Sequence, residues 1–276
     1  MDLRTRDQLS RLQRWRTTVA RRVHQARGLP SLMGRRAAPL ATGDWPVLQL
    51  EHRVGLVSTD RDPRLEEGKR VNVALAAPCF DGLALGPDAP LSFWTQLGHI
   101  RRERGFVAGR ELRGGCVVPA LGGGICLLAN ALYEVGVRLG WVVLQRAGHT
   151  MEAIPSTAEV WGLDATVSWP QVDLRMQPGR PVRLQVFIEG DELVLQVRGT
   201  VDAPEVRVWG VADEVTVEGG VRFRQNVVLR QVGNRTEVLA RNRKRLVEGE
   251  HIERSCLSCG ETACASREAD LDRVVG

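Results

Sequence analysis

The chain has 276 residues, 43% of them apolar and 26% charged, a composition that supplies a real core and one large or two small domains. A formal charge of +5 is too modest to argue for nucleic acid, and no nucleic-acid-binding motif accompanies it. No run of ~18 apolar residues occurs and the N-terminal stretch lacks the apolar centre of a signal peptide, so neither span nor export signal is expected and a cytoplasmic location is the default.

Residues 1–45 read as a basic amphipathic helix and linker. Leu9, Leu12, Trp15, Val19 and Val23 recur at helical intervals among arginines. Such a helix docks on its own domain through the apolar stripe, with weak contact to an anionic membrane surface as the alternative. Gly28 to Asp44 has little periodicity and holds several glycines and prolines, as a linker does. Residues 46–179 form the expected site domain. Pro46 to Val57 suggests a short strand, Asp60 to Glu67 a charged turn, and Val71 to Ala77 a buried element. Trp94 is a candidate to wall off water or to give its indole N–H to a developing oxyanion.

The most informative stretch begins at Gly122-Gly123-Gly124-Ile125-Cys126. A cysteine attacks as its thiolate, so its pKa must fall from about 8.5. A helix start lowers it, and three glycines let backbone N–H groups approach a ligand closely, which makes Gly122, Gly123 and Gly124 candidate substrate-binding positions. Leu128, Leu132, Val135 and Leu139 mark the helix and Gly140 its end. Strand-like runs follow at 141–144, 149–154 and 161–167. If these pair antiparallel against the helix, His149 faces Cys126 and Asp164 orients the far ring nitrogen: nucleophile, base and orienting acid. The competing reading makes Cys126 a small buried hydrophobe and His149 a group bonded to nearby backbone.

Residues 180–242 change to period two. Val182, Leu184 and Val186 alternate, Glu189-Gly190-Asp191 turns, and Leu193, Leu195 and Val197 alternate again. Shorter pieces at 206–208, 215–217, 221–223, 227–229 and 237–239 complete a small antiparallel β region. The tail, 243–276, carries Cys256, Cys259 and Cys264, a knuckle suited to a structural zinc with His251, Cys79 or Cys116 as fourth ligand. A disulfide or free thiols are the alternatives.

Several of these motifs occur together in the VanW family, which the chain resembles. The likeness is carried by the Gly-Gly-Gly-Ile-Cys run ending at Cys126, Leu132-Tyr133, the run from Arg146 to His149, Asp164 to Val167 and Asp173-Leu174, with Ser92-Phe93-Trp94 and Gly105-Phe106 upstream. The family usually has glutamine where this chain has Leu127. The resemblance implies a cell-envelope, glycopeptide-resistance setting. Cysteine at a helix start followed by histidine and aspartate is also the chain order of transglutaminase-like and papain-like enzymes, an analogy of topology. The expected fold is therefore α+β, a helix on an antiparallel sheet with a C-terminal β-rich region. Two functions remain open: a cysteine-dependent acyl transferase or amidase acting on a cell-wall peptide or precursor, and a non-catalytic module that binds an anionic ligand or a protein partner.

Overall fold

The computed structural model describes residues 45–56, 62–113, 116–152, 159–247 and 255. The basic segment expected within residues 1–44 and the candidate zinc ligands His251, Cys256, Cys259 and Cys264 lie outside the described residues. In chain order the strands and α-helices are β1 (Val47–Gly55), α1 (Pro63–Ala76), β2 (Leu83–Leu85), β3 (Leu91–Ser92), α2 (Phe93–Leu97), β4 (Ala108–Arg113), β5 (Cys116–Leu121), α3 (Cys126–Arg138), β6 (Val142–Gln145), β7 (Met151–Glu152), β8 (Arg175–Gln177), β9 (Val182–Glu189), β10 (Glu192–Gly199), β11 (Val206–Glu218), β12 (Val221–Val232) and β13 (Arg235–Leu246). The class is α+β, mostly sheet with few helices.

Period-two alternation builds the first sheet. Val182, Leu184 and Val186 on β9 and Leu193, Leu195 and Val197 on β10 are all buried, and the hairpin turns at Gly190, which takes a positive φ. This hairpin sits between β1 and β2 in the order β1-β10-β9-β2. Helix α3 packs on β1 and β10, burying Leu128, Leu132 and Val135 as its spacing requires. Its chain reverses at Gly140, whose φ of 72° suits glycine, and Gly140 N–H bonds the Val137 carbonyl.

Helix α1 corrects an expectation. The charged stretch read as a turn is the helix start, with Asp62 as N-cap and Pro63 in the first turn. The inward face of α1 includes Glu66, Gly68 and Asn72 beside Leu65, Val73 and Ala76, so no apolar stripe announces it. Gly68 is there because a Cβ would lie 1.9 Å from the Ala108 carbonyl oxygen, which brings α1 directly onto β4.

The sheet expected after α3 also differs. β6 pairs with β8, β7 pairs in parallel with β13, and residues 161–167 form no strand. The Ala165 N–H donates to Asn130 Oδ1 and the Thr166 N–H to the Ala147 carbonyl, so a helix side chain and one isolated bridge hold this segment in place of a ladder. The transglutaminase-like sheet order is not confirmed. Further on, the short pieces expected beyond residue 200 fuse into three long strands, β11, β12 and β13, joined by turns at Gly219-Gly220 and Gly233-Asn234. The irregular register between Val211 and Glu214 explains why β11 reads as two pieces.

Candidate active site

The glycine run is fixed by the crossing of two backbones. A Cβ on Gly123 would stand 2.3 Å from the Gly109 backbone on β4, and one on Gly124, at φ 92°, would strike the Lys69 side chain of α1. Asn72, fully buried on α1, clamps the crossing. Its Nδ2 donates to the Gly123 carbonyl at 2.9 Å and the Val107 carbonyl at 3.0 Å, and its Oδ1 accepts the Val107 N–H. Gly122 and Gly123 are themselves buried, which makes them builders of the turn. The Ile125 N–H is spent on the Gly122 carbonyl, whereas the Gly124 and Cys126 N–H groups have no backbone acceptor among the described residues. Cys126 thus opens α3 with its own N–H uncommitted.

The Cys126 sulfur is half-buried, 3.5 Å from Thr166 Oγ1 and 3.8 Å from the Val167 carbonyl oxygen. Burial alone would push the thiol up. The side-chain hydrogen bond and positive charge of His149 outweigh it, helped by Thr166 and Val167, and hold the thiol below its ordinary range. For His149, burial works against the charged ring, but Asp164 and the sulfur more than compensate, and its pKa rises to about 9. Both shifts run in the direction that favours a thiolate beside an imidazolium.

Asp164 completes the arrangement. Its Oδ2 lies 2.6 Å from His149 Nδ1 and accepts the His149 N–H at 2.8 Å. Burial opposes its charge, yet His149 and the Lys244 ammonium keep the carboxyl ionised well below its usual range. The structure therefore brings Cys126, His149 and Asp164 together, although from a helix and two irregular segments and not from a helix and two paired strands.

Trp94 does not supply an oxyanion donor. Its indole N–H is committed to the Val172 carbonyl at 2.7 Å, its backbone N–H bonds Asp173, and it is 4% exposed against Trp169. Ser92 Oγ donates to the same Asp173 carboxylate. Leu127 packs on the hydrophobic core and adds no polar group. No cluster of metal-ligating side chains occurs among the described residues. No described helix is long and apolar enough to cross a membrane.

Residues without an assigned role in the sequence carry much of the site. Arg146 donates to Asp164 Oδ1, the Asp164 and Gly162 carbonyls and Asn242 Oδ1, and stands over the Tyr133 ring. Lys244 Nζ lies 2.9 Å from Asp164 Oδ1. Arg146 and Thr166 stood inside motifs already noticed. Lys244 had no such signal, because residues 241–245, Arg-Asn-Arg-Lys-Arg, contain nothing apolar to mark a buried face.

Comparison with known proteins places these residues in a wider setting. A family profile described as "VanW like protein" matches residues 68–198. The vancomycin B-type resistance protein VanW of Enterococcus faecalis is 28% identical over 137 residues, 49% of this chain and 50% of that protein. The uncharacterized protein YoaR of Bacillus subtilis is 29% identical over 126 residues, 45% of this chain and 41% of that protein. The chain thus spans half or less of the length of the curated relatives it matches. No solved structure matches it significantly.

Proposed function

Through residues 68–198 the chain belongs to the VanW-like family, and from that premise we propose that it is a cysteine-dependent acyl transferase or amide hydrolase. The observation that supports this most is the Asp164 carboxylate 2.6 Å from His149 Nδ1, on a ring near enough to Cys126 that the ring is lifted to about 9 and the thiol depressed.

The reaction follows from the placement of the groups. The Cys126 thiolate attacks a substrate carbonyl carbon and an S–C bond forms, while the oxygen gains charge near the uncommitted Gly124 and Cys126 N–H groups. As the C–N bond breaks, the His149 imidazolium gives its proton to the leaving nitrogen. Water or an acceptor amine then attacks the thioester, loses its proton to His149 and returns the sulfur as thiolate. Asp164 holds the ring tautomer and remains ionised throughout. One relative's name refers to vancomycin resistance, which favours a cell-wall peptide as the acyl donor.

Site-resolved mass spectrometry of iodoacetamide labelling against pH tests the chemistry. Cys126 is expected to label with a midpoint well below the ~8.5 of an ordinary thiol, and His149→Ala to slow labelling at pH 7 about tenfold or more. An ordinary midpoint in the native chain, unmoved in the variant, would exclude a thiolate–imidazolium pair. Incubation with synthetic stem peptides should leave an acyl mass on Cys126 if the substrate class is right.

A further inference from the structure

The Asp164 carboxylate divides its oxygens between two tasks. Oδ2 serves His149, through the ring at 2.6 Å and the backbone N–H at 2.8 Å. Oδ1 receives Arg146 at 3.1 Å and Lys244 at 2.9 Å. The two cations differ in what else they hold. Arg146 also ties the Gly162 and Asp164 carbonyls and so shapes the loop. The Lys244 ammonium has no other hydrogen-bond partner among the described residues and rests 5.1 Å from the Trp161 ring centre.

A lysine 5% exposed is costly to bury unless its charge is matched, and among the described residues this one is matched only by the carboxylate that orients His149. The strand that carries it also holds the histidine segment. β7, two residues past His149, lies parallel to β13, and Arg245 N–H bonds the Thr150 carbonyl at 2.9 Å. On β13, Asn242 and Lys244 point inward while Arg241, Arg243 and Arg245 are exposed. Inward, Asn242 accepts from Arg146 and donates to Asn226 of β12.

We propose that Lys244 is a positioning residue for His149, acting through Asp164, so that the working unit extends from the family-matched segment onto the C-terminal sheet. This rests on the roles given above to Cys126, His149 and Asp164. A cation on the far oxygen keeps the carboxylate fixed and moderates its pull on the ring proton, so that His149 aligns with the sulfur and still releases its proton. Among the described residues, the other charged or titratable groups around this centre include Arg146 from the β6 loop, Tyr133 and Cys126 from α3, Arg230 of β12 beyond Tyr133, and Glu152 and Arg224, which flank Trp161.

The test is an NMR titration of the His149 ring in the full chain with carbon-13-labelled histidine, its signal assigned by loss in His149→Gln. Lys244→Gln keeps a donor but drops the charge and should raise the His149 midpoint by about half a unit or more. Lys244→Arg keeps the charge and should leave the midpoint in place. A folded Lys244→Gln protein with the native midpoint overturns the proposal. If circular dichroism shows that the Gln variant does not fold, the Arg variant decides: a native midpoint upholds the proposal and a displaced one overturns it. Cys126→Ala examines the underlying pair separately, because loss of the thiolate should lower the His149 midpoint. An unmoved midpoint there would remove the acyl-transfer chemistry whatever Lys244 does.

Discussion

Two sheets of this molecule bury different mixtures of side chain. The sheet β1-β10-β9-β2 turns Leu184, Val186, Leu193, Leu195 and Val197 into the core, whereas β12 and β13 turn in Asn226, Arg230, Asn242 and Lys244, each 4–7% exposed, around the apolar Val228 and Ala240. Burying an unpaired polar group costs free energy that an apolar one does not, so such a face persists only if each member finds a partner. Each does. Asn226 donates to the Trp161 carbonyl, Arg230 to the Trp141 carbonyl and Glu237, Asn242 bonds Asn226 and Arg146, and Lys244 meets Asp164. The first sheet is a scaffold held by the hydrophobic effect. The second is a template whose partners lie mostly in the segment that carries the candidate site, and its hydrogen bonds fix where that segment sits.

This contrast can be broken by substitution. Leu195→Ala on the apolar sheet should cost about 2–5 kcal/mol in urea unfolding while leaving the His149 titration midpoint unchanged. If the midpoint moves as well, the scaffold is not separable from the site. Asn226→Ala on the polar sheet should cost less, about 1–3 kcal/mol, because it strips a donor from the Trp161 carbonyl and an acceptor from Asn242. It should nevertheless alter the pH dependence of Cys126 labelling, the reverse of the Leu195 result.

A smaller effect sharpens the rule about partners. The Tyr133 hydroxyl is buried with no hydrogen-bond partner among the described residues, so Tyr133→Phe should change stability by less than ~0.5 kcal/mol, or raise it. A loss of 2 kcal/mol or more would point to an ordered water that satisfies it.

The mildest test is pH. His149 is raised to about 9, so its stabilisation is complete below the ordinary imidazole value of ~6.5 and is lost as pH rises through about 9. Cys126 is depressed, so its stabilisation is complete above ~8.5 and is lost as pH falls through its folded-state value. Across neutral pH the two trends oppose. Past ~8.5 only the loss from His149 remains, and the thermal midpoint should decline there more in the native chain than in His149→Gln.

Much of the scaffold was legible because it obeys local periodicity. Leu128, Leu132 and Val135 announced α3, Gly140 its end, and the β9–β10 hairpin followed from strict alternation around Gly190. The start of α1 was not, because its packed face uses Gly68 for close approach, Glu66 for ion pairing and Asn72 for clamping a turn. Residues 161–167 looked like a strand because Trp161, Leu163, Ala165 and Val167 alternate and are buried, but their amide partners include the Asn130 side chain. Burial set that pattern without a ladder.

The sequence by itself determined which groups are available for chemistry: a thiol behind three glycines at a helix start, then an imidazole and a carboxylate in order. Tertiary structure alone decided that the glycines serve a backbone crossing, that the Trp94 indole is already spent, and that a lysine eighty residues beyond the aspartate shares its carboxylate. The physical reason is range. Helix and hairpin patterns arise between near neighbours in the chain, whereas matching a buried charge depends on whatever strand the fold brings alongside.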